Sequence, residues 1–225
     1  MKKQRVFAIV CLALTLPLSA QKKEAERLGE SAAVVQAALA GDLPLNILDK
    51  ADCILVFPNV KKVAIGIGGS YGRGTLVCRN GTAMNGPWGA PAMYSLDQGS
   101  LGVQLGSTST DFVLVIMSQK GAEQILNGKT KLGSNAAAAA GPTGAAATSY
   151  NADAMKADVL TYSQSKGLFA GVSLTGASID TDNDANKALY GKEMSAKNIV
   201  SGGSSIVPAA KPLVDLLNKK SPSRK

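Results

Sequence analysis

The chain has 225 residues, no histidine, three cysteines and a formal charge of +8 at pH 7. Without histidine, Ser-His-Asp and Cys-His catalysis, the usual zinc sites and the commonest general base at neutral pH are excluded. The positive charge sits at the two ends, since residues 1–20 hold Lys2, Lys3 and Arg5, residues 201–225 hold five cations against Asp215, and residues 21–200 carry only +1. A nearly neutral body argues against a nucleic-acid partner, which needs a basic face.

In chain order, the first segment joins Lys2, Lys3 and Arg5 to an apolar stretch from Val6 to Leu16, then Pro17 and the small residues Ser19 and Ala20. It reads as a secretory signal peptide cleaved near Ala20 and too short to span a bilayer, with the mature protein expected in the periplasm or at the envelope. Cys11 lies inside the apolar run, not after it, which argues against a lipoprotein. Residues 21–205 read as one domain, followed over 206–225 by a short helix and a basic tail, a frayed solubilising terminus or a contact for anionic lipid. Cys53 and Cys78 remain after cleavage; an oxidising compartment permits them to pair, and separate burial as small apolar side chains stays open.

Residues 22–39 place Ala25, Leu28, Ala32, Val35 and Leu39 on one stripe, and Gly41 then Pro44 end it. The spacing predicts an amphipathic helix, docked on its own domain or lying on a membrane. From Cys53 onward, short apolar runs separated by Gly, Pro and Asn at 53–57, 63–69, 75–78, 111–117 and 167–174 predict strands. Glycines such as Gly66, Gly68, Gly72, Gly74 and Gly102 within or beside these runs suit a curved or barrel-like antiparallel sheet. Residues 118–127 and 184–201 read as helical, and Pro212 opens a last helix with Leu213, Leu216 and Leu217 on one face. The alanine-rich segment 135–147 fits either a broken helix or small-residue strands joined by a turn. The expected class is α+β, a curved sheet packed with an N-terminal amphipathic helix and several short helices.

Three catalytic or metal patterns fail on inspection. Gly68, Ser70 and Gly72 spell G-x-S-x-G, but Ser70 has no histidine to take its proton. Ser163 and Lys166 form S-x-x-K without the partner motifs of serine acyltransferases. Asp180, Asp182, Asp184 and Asn186 alternate like a calcium loop, but Ala185 and Gly191 stand where its Gly and Glu belong, so Asp184 or Asn183 is expected to cap a helix instead. No catalytic residue, metal or cofactor is expected.

Four ordered segments resemble the SYLF (Ysc84-like) family: 51–79 (ADCILVFPNVKKVAIGIGGSYGRGTLVCR), 86–106 (GPWGAPAMYSLDQGSLGVQLG), 141–147 (GPTGAAA) and 162–191, with the core YSQSKGLFAGVSL. The resemblance implies a non-enzymatic domain that binds phospholipid or a membrane surface. A structural or protein-interaction domain of the envelope is the alternative. Ala145 stands where relatives often carry a basic residue, which weakens a phosphoinositide ligand. A headgroup site needs cations beside an interfacial aromatic. The candidates are Lys61, Lys62, Arg73 and Lys166, with Trp88 as the aromatic; Arg79 and Tyr94 are further possibilities. The partners expected are phospholipid or membrane and an envelope protein, without nucleic acid.

Overall fold

A computed structural model describes residues 15–65, 67–100, 106–143, 156–165, 168–171 and 174–224. Most of the expected leader, Ala145 and Lys166 therefore lie outside the described residues. Helix α1 (Thr15–Ala40) runs through the expected cleavage point, and a short α2 (Leu45–Lys50) follows. Strands β1 (Cys53–Ile65), β2 (Ile67–Cys78), β3 (Ala92–Ser100) and β4 (Gly106–Ile116) lead into α3 (Gln119–Leu126). Next come β5 (Thr130–Lys131), β6 (Ala138–Ala140), β7 (Val159–Ser165), β8 (Leu168–Gly171) and β9 (Ser178–Thr181). Helix α4 (Asn183–Tyr190), a short α5 (Ala196–Asn198) continued by a π turn, a 3-10 turn at Pro208–Ala210 and α6 (Lys211–Lys220) complete the chain.

The described strands form one curled sheet in the order β5-β9-β3-β2-β1-β4-β7-β6, with β8 added beside β7. All pairings are antiparallel except β6 with β7. The two ends of this order are joined by the turn between β5 and β6. Leu132 bridges Ala136, Leu132 N donates to Ala177 O at 2.9 Å, and Ala137 N donates to Asp158 Oδ2 at 3.0 Å. The expected barrel-like curvature is present.

Both faces of the sheet are buried, which is why its central strands read as unbroken apolar runs rather than alternating ones. Ile54, Val56, Val77, Met93, Val113, Val115 and Leu160 face the helices, packing with Leu28, Val35 and Ala38 of α1 and Leu213, Val214 and Leu217 of α6. The intervening residues Cys53, Leu55, Phe57, Leu76, Tyr94, Leu96, Leu114 and Ile116 turn to the concave side, where Ile125 of α3, Leu132 and Ile199 cover them. Each leucine-sized side chain buried in this way contributes about 1.5–3 kcal/mol. Segment 206–225 shares the α1 core through α6.

The buried stripe of α1 keeps Leu28 and Val35 of the expected one and lies one residue earlier at its other positions. Glu24, Leu28, Ser31, Val35 and Ala38 are buried, while Ala25, Ala32 and Leu39 lie at its margin. The helix docks on its own domain, and its two polar inward residues find partners: Ser31 Oγ lies 3.3 Å from Thr75 Oγ1, and Glu24 pairs with Arg27. The expected helix at 184–201 is broken by Gly191, whose φ of 72° is the left-handed geometry that closes α4. The alanine-rich segment resolves, over 138–140, into strand β6.

One bulge shifts β1 against both of its neighbours. Pro58 and Asn59 interrupt the register between Val56 and Lys61 towards β2 and between Phe57 and Val60 towards β4. Asn59 takes a φ of 52°, and its N–H donates to Asp111 Oδ1 at 2.8 Å. Across from it, a Cβ on Gly74 would meet Val56 O at 2.2 Å and the Phe57 ring at 2.4 Å, so the ring occupies the space of the missing side chain.

Candidate functional site

The candidate cations do not form one cluster. Lys61 and Lys62 are neighbours on an extended strand and leave the sheet on opposite faces. Lys61 is exposed and stands opposite Tyr71 on β2, while Lys62 is half-buried and stands opposite Ser70. Arg73 lies two residues from Tyr71 on the same face, so the helix-side surface brings together Lys61, Tyr71 and Arg73 and leaves Lys62 out. Arg73 is already paired, its Nη1 lying 3.2 Å from Asp182 Oδ2 and its Nε donating to Tyr71 Oη at 2.8 Å. The phenol and the nearby carboxylate outweigh burial and raise its pKa.

Trp88, chosen as the interfacial aromatic, is 1% exposed and belongs to the core. Tyr94 is likewise fully buried and donates to Ile125 O at 3.2 Å. The exposed aromatic of the region is Tyr71, at 48%. Its signal in the sequence was its setting, YGRG, where flanking glycines and a cation leave a large side chain no core to enter.

Arg79 is also buried, with its guanidinium 4.4 Å above the Trp88 ring. Nε donates to Ala51 O, Nη1 to Gly86 O and Pro222 O, and Nη2 to Ser221 O and Oγ, at 2.5–3.3 Å. Trp88 Nε1 donates to Ser221 O at 2.9 Å. Burial, followed by the charge of Arg224, lowers the Arg79 pKa to about 10. Arg224 itself pairs with Asp52 at 2.6 Å and donates to Lys50 O and Met84 O. The end of the chain through Arg224 is therefore anchored rather than frayed, and its exposed cations among the described residues are Lys211, Lys219 and Lys220.

Cys53 and Cys78 face each other across β1 and β2 and form a disulfide. Ser70 lies within β2 between Lys62 and Gln98, with no strand-to-helix turn, so the G-x-S-x-G match is not a nucleophile elbow. The cap of α4 is Asp182, ahead of the expected Asn183 or Asp184, its Oδ1 accepting from Ala185 N at 3.0 Å.

Two openings reach solvent near these residues. An apolar groove of about 650 Å3 runs between the start of α1, the end of α4 and the Pro208–Ala210 turn. Its walls are Ala25, Leu189, Val207, Pro208 and Ala209, with Ser19, Gln21 and Lys22 at one side, and Ile206 beside it is 38% exposed. A polar cleft of about 380 Å3 opens at the start of α4 against β2 and β3. Among the described residues no helix is long and apolar enough to cross a membrane.

A family described as "Ysc84: Las17-binding protein actin regulator" matches residues 97–220, more than half of the chain. The chain belongs to the Ysc84 family. This is the family that the SYLF motifs resemble. Among similar proteins, an SH3 domain-containing protein of Schizosaccharomyces pombe is 34% identical over 181 residues, covering 79% of this chain and 41% of that protein. Protein Ysc84 of Saccharomyces cerevisiae is 34% identical over 182 residues, covering 79% and 38%. The SH3 domain-containing Ysc84-like protein 1 of Homo sapiens is 28% identical over 177 residues, covering 78% and 51%. The chain thus spans about two fifths to one half of these relatives' length.

Proposed function

We propose that this Ysc84-family chain is a non-catalytic docking domain that holds a protein partner in the apolar groove between α1, α4 and the Pro208–Ala210 turn. The groove carries the reading, because its lining of Ala25, Leu189, Val207, Pro208 and Ala209, extended by exposed Ile206, is apolar surface that water solvates poorly. The names of the family and of a yeast relative, "LAS seventeen-binding protein 3", describe proteins that bind another protein. The leader and the Cys53–Cys78 disulfide support an exported protein, since disulfides persist in oxidising compartments.

Phospholipid is the second reading, favoured by Lys22 in the groove wall beside Lys23, cations at the rim of an apolar opening as an acyl chain with an anionic headgroup would need. Cleavage near Ala20 removes Ser19 and leaves Gln21, Lys22 and Ala25 as that wall. Lys61, Lys62 and Arg73 lie outside the groove lining, so the headgroup contact passes from them to Lys22.

A photo-crosslinker at Val207, followed by calorimetry with the purified captured protein, tests both readings. Saturable binding lost in Ala209→Glu supports the protein partner. No capture, with flotation on phosphatidylglycerol vesicles lost in Ala209→Glu, supports lipid. No capture and no flotation overturns the groove as a docking site.

A further inference from the structure

The polar cleft at the start of α4 is separate from the groove, and its chemistry differs. It is lined by Tyr71, Arg73, Ser95, Thr181, Asp182, Asn183 and Asp184. Tyr71 presents its ring to solvent while Arg73 holds its hydroxyl at 2.8 Å, so a flat aromatic surface is kept in place at little further entropic cost. Among the described residues no cation around it is left unmatched: Arg73 is paired with Asp182, and exposed Lys61 is balanced by exposed Asp97, each of the latter two standing opposite Tyr71 in the sheet. Asp184 adds a carboxylate at the rim. Such a balance does not favour a phosphate or another strongly anionic group.

Asp182 is spent on the fold: its side chain is 9% exposed, Oδ1 accepts from Ala185 N at 3.0 Å, and Oδ2, buried from solvent, meets Arg73 at 3.2 Å. The cleft offers one exposed aromatic face, the amide of Asn183, the carboxylate of Asp184 and the hydroxyl of Ser95. A pyranose ring has the matching chemistry, with an apolar C–H face and a rim of hydroxyls that donate and accept.

We propose that this cleft binds a neutral saccharide, its ring face stacked on Tyr71 and its hydroxyls on Asn183, Asp184 and Ser95. Cosedimentation of the full chain with insoluble glycans, using peptidoglycan sacculi, chitin and cellulose, tests it. The expected result is sedimentation with at least one glycan that persists in about 1 M salt, where charges are screened beyond about 3 Å. Tyr71→Ala should weaken it about tenfold, the scale of one lost aromatic contact, while Tyr71→Trp keeps it. If Tyr71→Ala does not fold, the exposed pair Asn183→Ala and Asp184→Ala takes its place with the same expected loss. Sedimentation no greater than an albumin control with all three glycans, binding abolished by salt, or binding unchanged in the variants would each overturn the proposal.

Discussion

The side-chain amide of Asn186 pairs with the backbone of Met93 as a neighbouring strand would. Met93 N donates to Asn186 Oδ1 at 2.8 Å, and Asn186 Nδ2 donates to Met93 O at 3.2 Å. Asn186 is fully buried, so Asn186→Ala leaves the Met93 N–H without a partner away from water, although Met93 O keeps Asp182 N. The expected cost is about 1–3 kcal/mol, read from the urea midpoint at unchanged slope. A change within error would show that water reaches this amide.

Trp88 is the only tryptophan, which makes its emission a report on the docked end of the chain. Deleting residues 221–225 removes the Ser221 carbonyl that accepts from its indole, and three of the acceptors around Arg79. The expected outcome is a red shift and stronger iodide quenching of Trp88 in a chain that keeps its sheet signal in circular dichroism. An unshifted spectrum would mean that the tail contributes nothing to burying the indole.

The disulfide closes a stretch with a sequence separation of 25, for which chain-entropy reasoning gives about 3–4 kcal/mol of stabilisation. The double variant Cys53→Ala, Cys78→Ala should lower the denaturation midpoint accordingly. The wild-type chain should approach the variant when treated with a reductant strong enough to reach a buried bond.

Gly74→Ala tests the bulge. Its new methyl would collide with the Val56 carbonyl and the Phe57 ring, and a backbone carbonyl in a paired strand has little freedom to give way. Overpacking of this kind costs about 1–3 kcal/mol. A matched Gly99→Ala, with open space around the added carbon, should be close to neutral.

Alkaline pH should unfold the domain through its tyrosines. Burial raises the phenols of Tyr94 and Tyr190 above their ordinary value of 10.0. A raised folded-state pKa contributes stability that is complete below the unfolded value and lost as pH climbs beyond it. Arg79, lowered to about 10, works in the opposite sense over the same range, one group against two. These two should ionise only in a cooperative step that coincides with loss of circular dichroism. Smooth independent titration would contradict their burial.

The runs CILVF and DFVLVI carried their strands openly in the sequence because each is buried on both sides. AMYSLDQGS did not, since β3 alternates Ala92, Tyr94 and Leu96 inward with Ser95 and Asp97 outward, a period-2 pattern hidden among polar and small residues. The fate of Arg79 was not legible at all. Its acceptors at Ser221 and Pro222 lie more than 140 residues away in the chain and are mostly backbone carbonyls, which any residue supplies. The candidate site divides in the same way: Tyr71 and Arg73 share a face by strand spacing alone, while the contact of Arg73 with Asp182 depends on β9 and α4 folding back beside β3.

Helix α1 lies against α4 and α6, near the other end of the chain. Its apolar stripe also packs on β1, β2 and β4, but its cover is complete only after the last helix has formed, and β9, inserted between β3 and β5, imposes a similar wait on the sheet. Loop closures this long slow the search for the native state and leave the early hairpin of β1 and β2 exposed while it proceeds. For this chain, time spent partly assembled is set by topology, and the part most in need of protection during that time is its N-terminal third.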